Sequence, residues 1–285
     1  MLKQRVITAL VLLLILLPTL LSRSPAPFCA VALVMIAAGA WEWARLNGYG
    51  QFASLVSGWL TVAVCAVTWR LGILDQSLVW LWMLAGATWV LAGAWALHRG
   101  VAAWSAHPRT IRLLAGLAAL WLAWLAVAQA RVMGTNFLLS ILVLVWVADI
   151  FAYFAGKAFG GRFSRGKLAP SISPGKSWEG VWGGMAGVVI LAFVWRWADA
   201  AWGVSVPGLY SHLGRPGGWL LLVAVVFLAA MSVVGDLFES LVKRSAGVKD
   251  SSGLLPGHGG VLDRVDALLP TLPLAMMLYS VLKPR

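Results

Sequence analysis

In a mostly apolar chain, clustered carboxylates can hold a hard cation, and fixed positive charge beside them can meet an anion such as phosphate. One stretch of this sequence offers both. Over 231–244 a helical reading puts Asp236, Ser240 and Lys243 on one face at i, i+4 and i+7, with Glu239 beside them and Ser232 one turn earlier. The stripe runs out into the basic pair Lys243-Arg244. A Glu239–Lys243 pair that neutralises itself accounts for part of this pattern and leaves Asp236 without a reason. Further on, Asp263 and Asp266 stand at i, i+3 in the opening turn of an apolar run. Helix N-termini favour acids, yet a cap explains one aspartate and not two. Asp236, Asp263 and Asp266, from two helix ends, are therefore candidate ligands of a hard divalent cation. Mg²⁺ typically takes one or two carboxylates plus substrate phosphates.

Between these helix ends run Lys249, Asp250, Ser251 and Ser252, then Gly257-His258-Gly259-Gly260. Glycines let the backbone approach a ligand closely with its amides aimed at phosphate, and a helix starting near 261 adds its dipole. Gly259 and Gly260 are the candidate cradle. His258 reads as a phosphate contact or a structural hydrogen bond, since no second histidine lies near it in sequence.

An earlier cluster begins with Asp149 and Tyr153 on one helical face and continues through Lys157, Arg162 and Lys167 to Ser173-Pro174-Gly175-Lys176-Ser177-Trp178-Glu179. The Gly-Lys-Ser invites comparison with a phosphate-binding P-loop, but Pro170 stands where that pattern needs glycine, and no strand precedes it. Ser173, Lys176 and Glu179 are candidates for substrate contact, along with Asp149 and Ser240.

The elements that carry these groups must lie in a membrane. Of 285 residues, 61% are apolar and 11% charged, with mean hydropathy +0.87. A soluble domain carries about 25% charge, and a disordered chain is poor in apolar residues. Apolar runs near the ~20 residues of a spanning helix fall at 6–22, 27–46, 52–70, 77–97, 111–130, 136–156, 178–202, 217–241 and 261–282. The first follows Lys3 and Arg5 and reads as a retained anchor, because no small-residue cleavage site follows it. The fold expected is all-α, a polytopic membrane protein of about nine spans, with N-terminal helices over 1–135 and a catalytic region over 136–285.

Counted over alternate sides, 15 of the 22 Lys and Arg fall with the N-terminus and seven on the opposite side. The positive-inside rule then puts the N-terminus and the polar loops 157–177 and 242–260 in the cytoplasm. The net charge of +12 is distributed between spans, which points to topology and to anionic lipid or phosphate and away from nucleic acid. Cys29 and Cys65 sit in apolar runs without metal spacing and say nothing of redox compartment. Several of the 18 tryptophans, among them Trp41, Trp43, Trp104, Trp178 and Trp202, sit near span ends, as interfacial belts do. His98, His107 and His212 read as loop residues. Glu42, at the end of the second span, is either structural or reaches the site.

The residues from Ser240 to Asp266 resemble the signature of the phosphatidate cytidylyltransferases, or CDP-diacylglycerol synthases, of bacterial type. The upstream Ser173-Pro-Gly-Lys-Ser-Trp-Glu-Gly180 and Asp149-x-x-x-Tyr153 elements are similar to that family as well. The resemblance covers essentially the whole chain. It implies transfer of CMP from CTP to phosphatidate, giving CDP-diacylglycerol and pyrophosphate, in the bacterial inner membrane. It also implies Mg²⁺, with K⁺ as a second metal, and a homodimer. Carried over, Asp236, Asp263 and Asp266 would hold the metals, and Lys243, Arg244, Lys249 and Arg264 would meet phosphates.

Two other classes compete. A polyprenol or lipid kinase, or a CDP-alcohol phosphotransferase, would use similar groups, but the D-x-x-D-G-x-x-A-R run of the latter does not occur. An ion-coupled transporter would place Asp149 and Asp236 at midplane within paired repeats of broken helices. The acids here gather at span ends, and no such repeat is visible.

Overall fold

The computed structural model describes residues 2–164 and 166–282. Lipid offers no partner to a backbone amide, so an apolar run can cross it only as a helix that satisfies its own hydrogen bonds. The chain obeys this with α1 (Leu2–Leu21), α2 (Ala26–Leu46), α3 (Gln51–Arg70), α4 (Val79–Ala106), α5 (Arg109–Met133) and α6 (Thr135–Phe159). There follow α7 (Trp178–Ala201), the short α8 (Leu209–Leu213), α9 (Gly218–Ser245), and the pair α10 (Leu262–Val265) and α11 (Leu268–Leu282). Among the described residues, nine segments are long and apolar enough to cross a membrane, α10 and α11 counting as one. The polytopic all-α fold read from the sequence is the fold observed.

The departures are local and have physical causes. Helix α4 was expected to end at 97 but resumes beyond a break at Gly100, whose φ of +76° L side chains rarely adopt. The added turn returns Trp104 to the core, edge-on to Trp43 at 6.0 Å and to Phe238 at 5.2 Å between ring centroids. The loop expected over 157–177 contains an antiparallel ribbon, β1 (Lys167–Ala169) and β2 (Ser173–Ser177), pairing Lys167 with Ser177 and Ala169 with Ser173. The last span is not continuous. Pro270 cannot donate to the carbonyl of Asp266, so the helix breaks there, and the Asp266 carboxylate accepts from the Ala267 amide at 2.7 Å instead.

Two close crossings set the geometry that matters. Helices α6 and α7 pack most extensively, because Gly180 and Gly184 lie one turn apart against the α6 backbone. A Cβ on either would stand only 3.0 Å from the Ala152 carbonyl oxygen or 2.8 Å from that of Ala148. Small residues at this spacing let helices approach where lipid supplies no hydrophobic drive. This places Asp149 beside the start of α7. Helix α9 packs against α4, α7 and α11 and meets the α10–α11 break at Gly235. A Cβ there would lie 2.5 Å from the Asp266 carbonyl oxygen and 2.8 Å from the Pro270 ring. That crossing places Asp236 beside Asp266.

Helix α1 is hardly packed: Leu10 and Leu14 are 54% and 72% exposed, a face suited to lipid. Its first turns nevertheless reach the loop before α10. Arg5 Nε donates to the Gly257 carbonyl at 3.0 Å and Thr8 Oγ1 to that of Pro256 at 2.9 Å. The start of α1 and the 246–261 loop thus lie on one side of the bundle.

Candidate active site

A cleft of about 450 Å³ opens between α6, α7 and α9. Its polar end is lined by Asp149, Tyr153, Lys157, Lys176 and Asp236, and its flank by Ala152, Met185, Ala229 and Val233. On α9 the apolar residues Val233 and Ala229 lie one and two turns before Asp236, so charge gives way to hydrocarbon along the cleft. Lys176, at the end of β2, is ion-paired with Asp236, and both side chains are about one-third exposed (27% and 32%). Ser240 Oγ lies 3.4 Å from the other oxygen of Asp236. Asp149 and Asp266 both lie within electrostatic reach of Asp236.

The ribbon holds Lys176 in place. Ser177 caps α7 by accepting from the Gly180 amide at 3.2 Å, the arrangement that ends an extended segment at a helix start. Ser173, at the other end of β2, pairs with Ala169 and stays half-buried. Glu179, expected to meet substrate, instead turns away from the cleft and is 3% exposed. Its Oε1 accepts from the amides of Phe163 and Ser164 at 3.0 and 2.7 Å and from the Ser164 hydroxyl at 2.8 Å, which pins the turn after α6.

The second group of residues is a buried polar chain. Lys243 Nζ stands 2.5 Å from Glu239 Oε2 and 2.6 Å from Asp263 Oδ1. The other oxygen of Asp263 accepts from the Ser251 amide and hydroxyl, both at 2.9 Å, and from the Gly260 amide at 2.7 Å. Lys243 was expected to meet phosphate, but here its charge is answered by two protein carboxylates. Nor do Asp236, Asp263 and Asp266 share one centre: among the described residues no three His, Cys, Asp or Glu side chains gather as metal ligands. Both oxygens of Asp263 are instead taken up by Lys243, Ser251 and Gly260. Asp236 and Asp266 remain as adjacent carboxylates on crossing helices, a pair that suits a divalent cation also bound by substrate phosphates.

The glycine loop is built tightly. Its ends are joined by the Leu255 amide donating to the Gly259 carbonyl at 2.8 Å, and Gly257 and Gly259 have φ of +77° and +83°. A Cβ on Gly259 would stand 2.7 Å from Asp263 Oδ2. The His258 carbonyl accepts from Arg264 Nε at 2.9 Å and Nη2 at 2.5 Å, while His258 Nδ1 is buried with no partner among the described residues. Arg244 donates to the carbonyls of Ile172 and Val248 at 3.3 and 3.4 Å, joining ribbon to loop. Lys249 and Asp250 are exposed at the loop surface.

What the sequence left open is Glu42. It is fully buried on α2 and accepts four hydrogen bonds from the loop. Oε1 takes Ser252 Oγ at 2.5 Å and the Val261 amide at 2.9 Å, while Oε2 takes the Leu262 amide at 2.7 Å and Ser251 Oγ at 3.2 Å. The only sequence signal was a lone acid in an apolar segment, the first of the chain's ten.

Fold and site together define a polytopic membrane protein with a carboxylate-and-lysine cleft that is polar at one end and apolar along its flank. The chain belongs to the cytidylyltransferase family, whose model matches residues 3–282. It is 42% identical over 285 residues to a phosphatidate cytidylyltransferase of Pseudomonas aeruginosa, covering 98% of each chain. A protein of the same name from Haemophilus influenzae is 37% identical, covering 98% of this chain and 99% of that one. A third, from Thermotoga maritima, is 43% identical over 146 residues, about half of each.

Proposed function

We propose that this enzyme transfers the CMP group of CTP to phosphatidate, giving CDP-diacylglycerol and pyrophosphate for phospholipid synthesis. The observation that carries this reading is the cleft: a charged head of Asp149, Lys176 and Asp236 on an apolar flank suits a phosphate that arrives on acyl chains. The full-length similarity to proteins named for that reaction supports the nucleotide and the acceptor.

The reaction needs little proton chemistry. A phosphate monoester has its second pKa near 6 and is largely dianionic at neutral pH. One of its oxygens attacks the α-phosphorus of CTP, the bond to the bridging oxygen breaks, and pyrophosphate leaves in line. The obstacle is repulsion between polyanions. Lys176 supplies fixed positive charge beside Asp236, and its ion pair leaves it free to exchange a carboxylate for a phosphate. Asp236 and Asp266 are the residues that would hold Mg²⁺, with Asp149 adjoining. When bound, the ion supplies charge neutralisation and Lewis acidity at the phosphoryl oxygens. Asp263, Lys243 and the buried Gly260, whose amide is held by Asp263, order the loop on which Lys249, His258, Gly259 and Arg264 meet the triphosphate.

The side bearing the start of α1 and the 246–261 loop is the cytoplasmic one, a reading supported by the excess of Lys and Arg there. That is where CTP is found. Resemblance supports a homodimer in the bacterial inner membrane. The test is direct: protein purified in detergent, given CTP, phosphatidate and Mg²⁺, should form a solvent-extractable cytidine lipid. No such product above a control lacking phosphatidate would refute the assignment.

A further inference from the structure

A carboxylate with no exposed surface, far in sequence from the site, carries four hydrogen bonds from one loop. Glu42 has two types of donor around it. The Ser251 and Ser252 hydroxyls can turn to other partners, but the amides of Val261 and Leu262 cannot. Those amides open α10, and a helix start leaves its first N–H groups without partners inside the helix. Glu42 therefore acts as a cap delivered from another helix, one amide to each oxygen. Its grip reaches Asp263 through the Ser251 hydroxyl, whose single proton the two carboxylates share at 3.2 Å from Glu42 and 2.9 Å from Asp263. There is no room for slack. A Cβ on Gly260 would run into both Ser251 Oγ and the Glu42 carboxylate.

From this geometry we infer that Glu42 is a positioning residue for cytidylyl transfer, holding the 251–262 segment in register so that α10 sets Asp266 against Asp236. The second helix is thereby part of the machinery, although it lines no part of the polar cleft. Helix α1 adds to the same hold from outside, through Arg5 and Thr8 on the carbonyls of Gly257 and Pro256. The inference rests on the proposed reaction for its kinetic readout but not for its structural one.

The decisive comparison is Glu42→Gln against Glu42→Ala. Glutamine fills the same volume but has one acceptor oxygen, so it turns an NH₂ toward either the Val261 or the Leu262 amide. If Glu42 only filled space, Gln would match the wild type. As a positioning residue it should give graded effects. Hydrogen–deuterium exchange of peptides over 249–262 in the detergent-purified, ligand-free protein should quicken in the order wild type, Gln, Ala. Gln keeps one of the two amide contacts and Ala neither, so kcat/KM for CTP should fall roughly tenfold to a hundredfold in Gln and further in Ala. The KM for phosphatidate should stay at the wild-type value. Asp199→Asn serves as the control. Asp199 is a buried acid holding Asn136, Gly208 and Ser211 outside the cleft and loop, and its loss should lower thermal stability without changing either KM.

Should Glu42→Ala fail to fold, Ser251→Ala keeps the question open to refutation, because it cuts the Asp263–Glu42 link and leaves the two backbone contacts. Exchange in 249–262 that is unchanged in Glu42→Gln overturns the inference. So does faster exchange with unchanged kcat and KM for CTP. A wild-type protein that transfers no CMP would refute the proposed reaction instead, while leaving the exchange result to judge the loop.

Discussion

The crossing of α9 over the α10–α11 break can be tested with one methyl group. Gly235→Ala would put a Cβ 2.5 Å from the Asp266 carbonyl oxygen and 2.8 Å from the Pro270 ring. Neither neighbour is the flexible end of a side chain. To reach an ordinary contact of 3.4 Å the helices must part by about 0.9 Å, the difference between the two distances. Overpacking of that kind costs about 1–3 kcal/mol. The larger effect should be on chemistry, since Asp236 and Asp266 flank the strained contact and a misplacement near 1 Å can cost about a hundredfold. The assay is CMP transfer at saturating substrates beside thermal unfolding in the same detergent. Gly218→Ala, on the same helix with open space at its Cβ, is the control and should keep wild-type turnover. If Gly235→Ala kept full kcat, close approach at this crossing would not be what positions the two acids.

Other perturbations separate the groups. Asp236→Ala and Asp266→Ala should abolish turnover while leaving folded protein, measured by size-exclusion profile and label transfer, and wild-type rates in either would refute the metal pair. Lys243→Ala leaves Glu239 and Asp263 facing each other without their cation, so stability should fall by about 3–5 kcal/mol. Adding Glu239→Gln should restore part of that, which a thermal-shift series of the single and double variants would show. Chelation with EDTA should stop transfer and added Mg²⁺ should restore it. Cys29→Ala should be near neutral in activity, because its thiol lies in an apolar core and Trp124 bonds only to its carbonyl.

How much of this was legible beforehand depends on the range of the interaction. The spans were readable because each must satisfy lipid by itself over about 20 residues. The i, i+4 Glu239–Lys243 pair and the Asp263–Asp266 spacing are equally local, and both stand in the structure. The break after Asp266 was written in Pro270, but an apolar run reads as continuous unless the missing amide is counted. The ribbon at 167–177 was obscured because it is short and carries no apolar alternation. A lone acid in an apolar span marked Glu42 without saying what it does, because its partners lie more than 200 residues away. Glu179 is a different case: its carboxylate takes the amides of Phe163 and Ser164, only 16 and 15 residues earlier. Position beside Lys176 in sequence says nothing about which way a carboxylate turns at the first residues of a helix.

The central claim is that the nucleotide's α-phosphorus, and not its γ-phosphorus, passes to the lipid. Parallel reactions with phosphatidate and CTP labelled at either the α or the γ position test it most directly. CMP transfer puts α label in the lipid phase and γ label in soluble pyrophosphate. Label from the γ position in the lipid, with none from the α position, would make the protein a lipid kinase and contradict it.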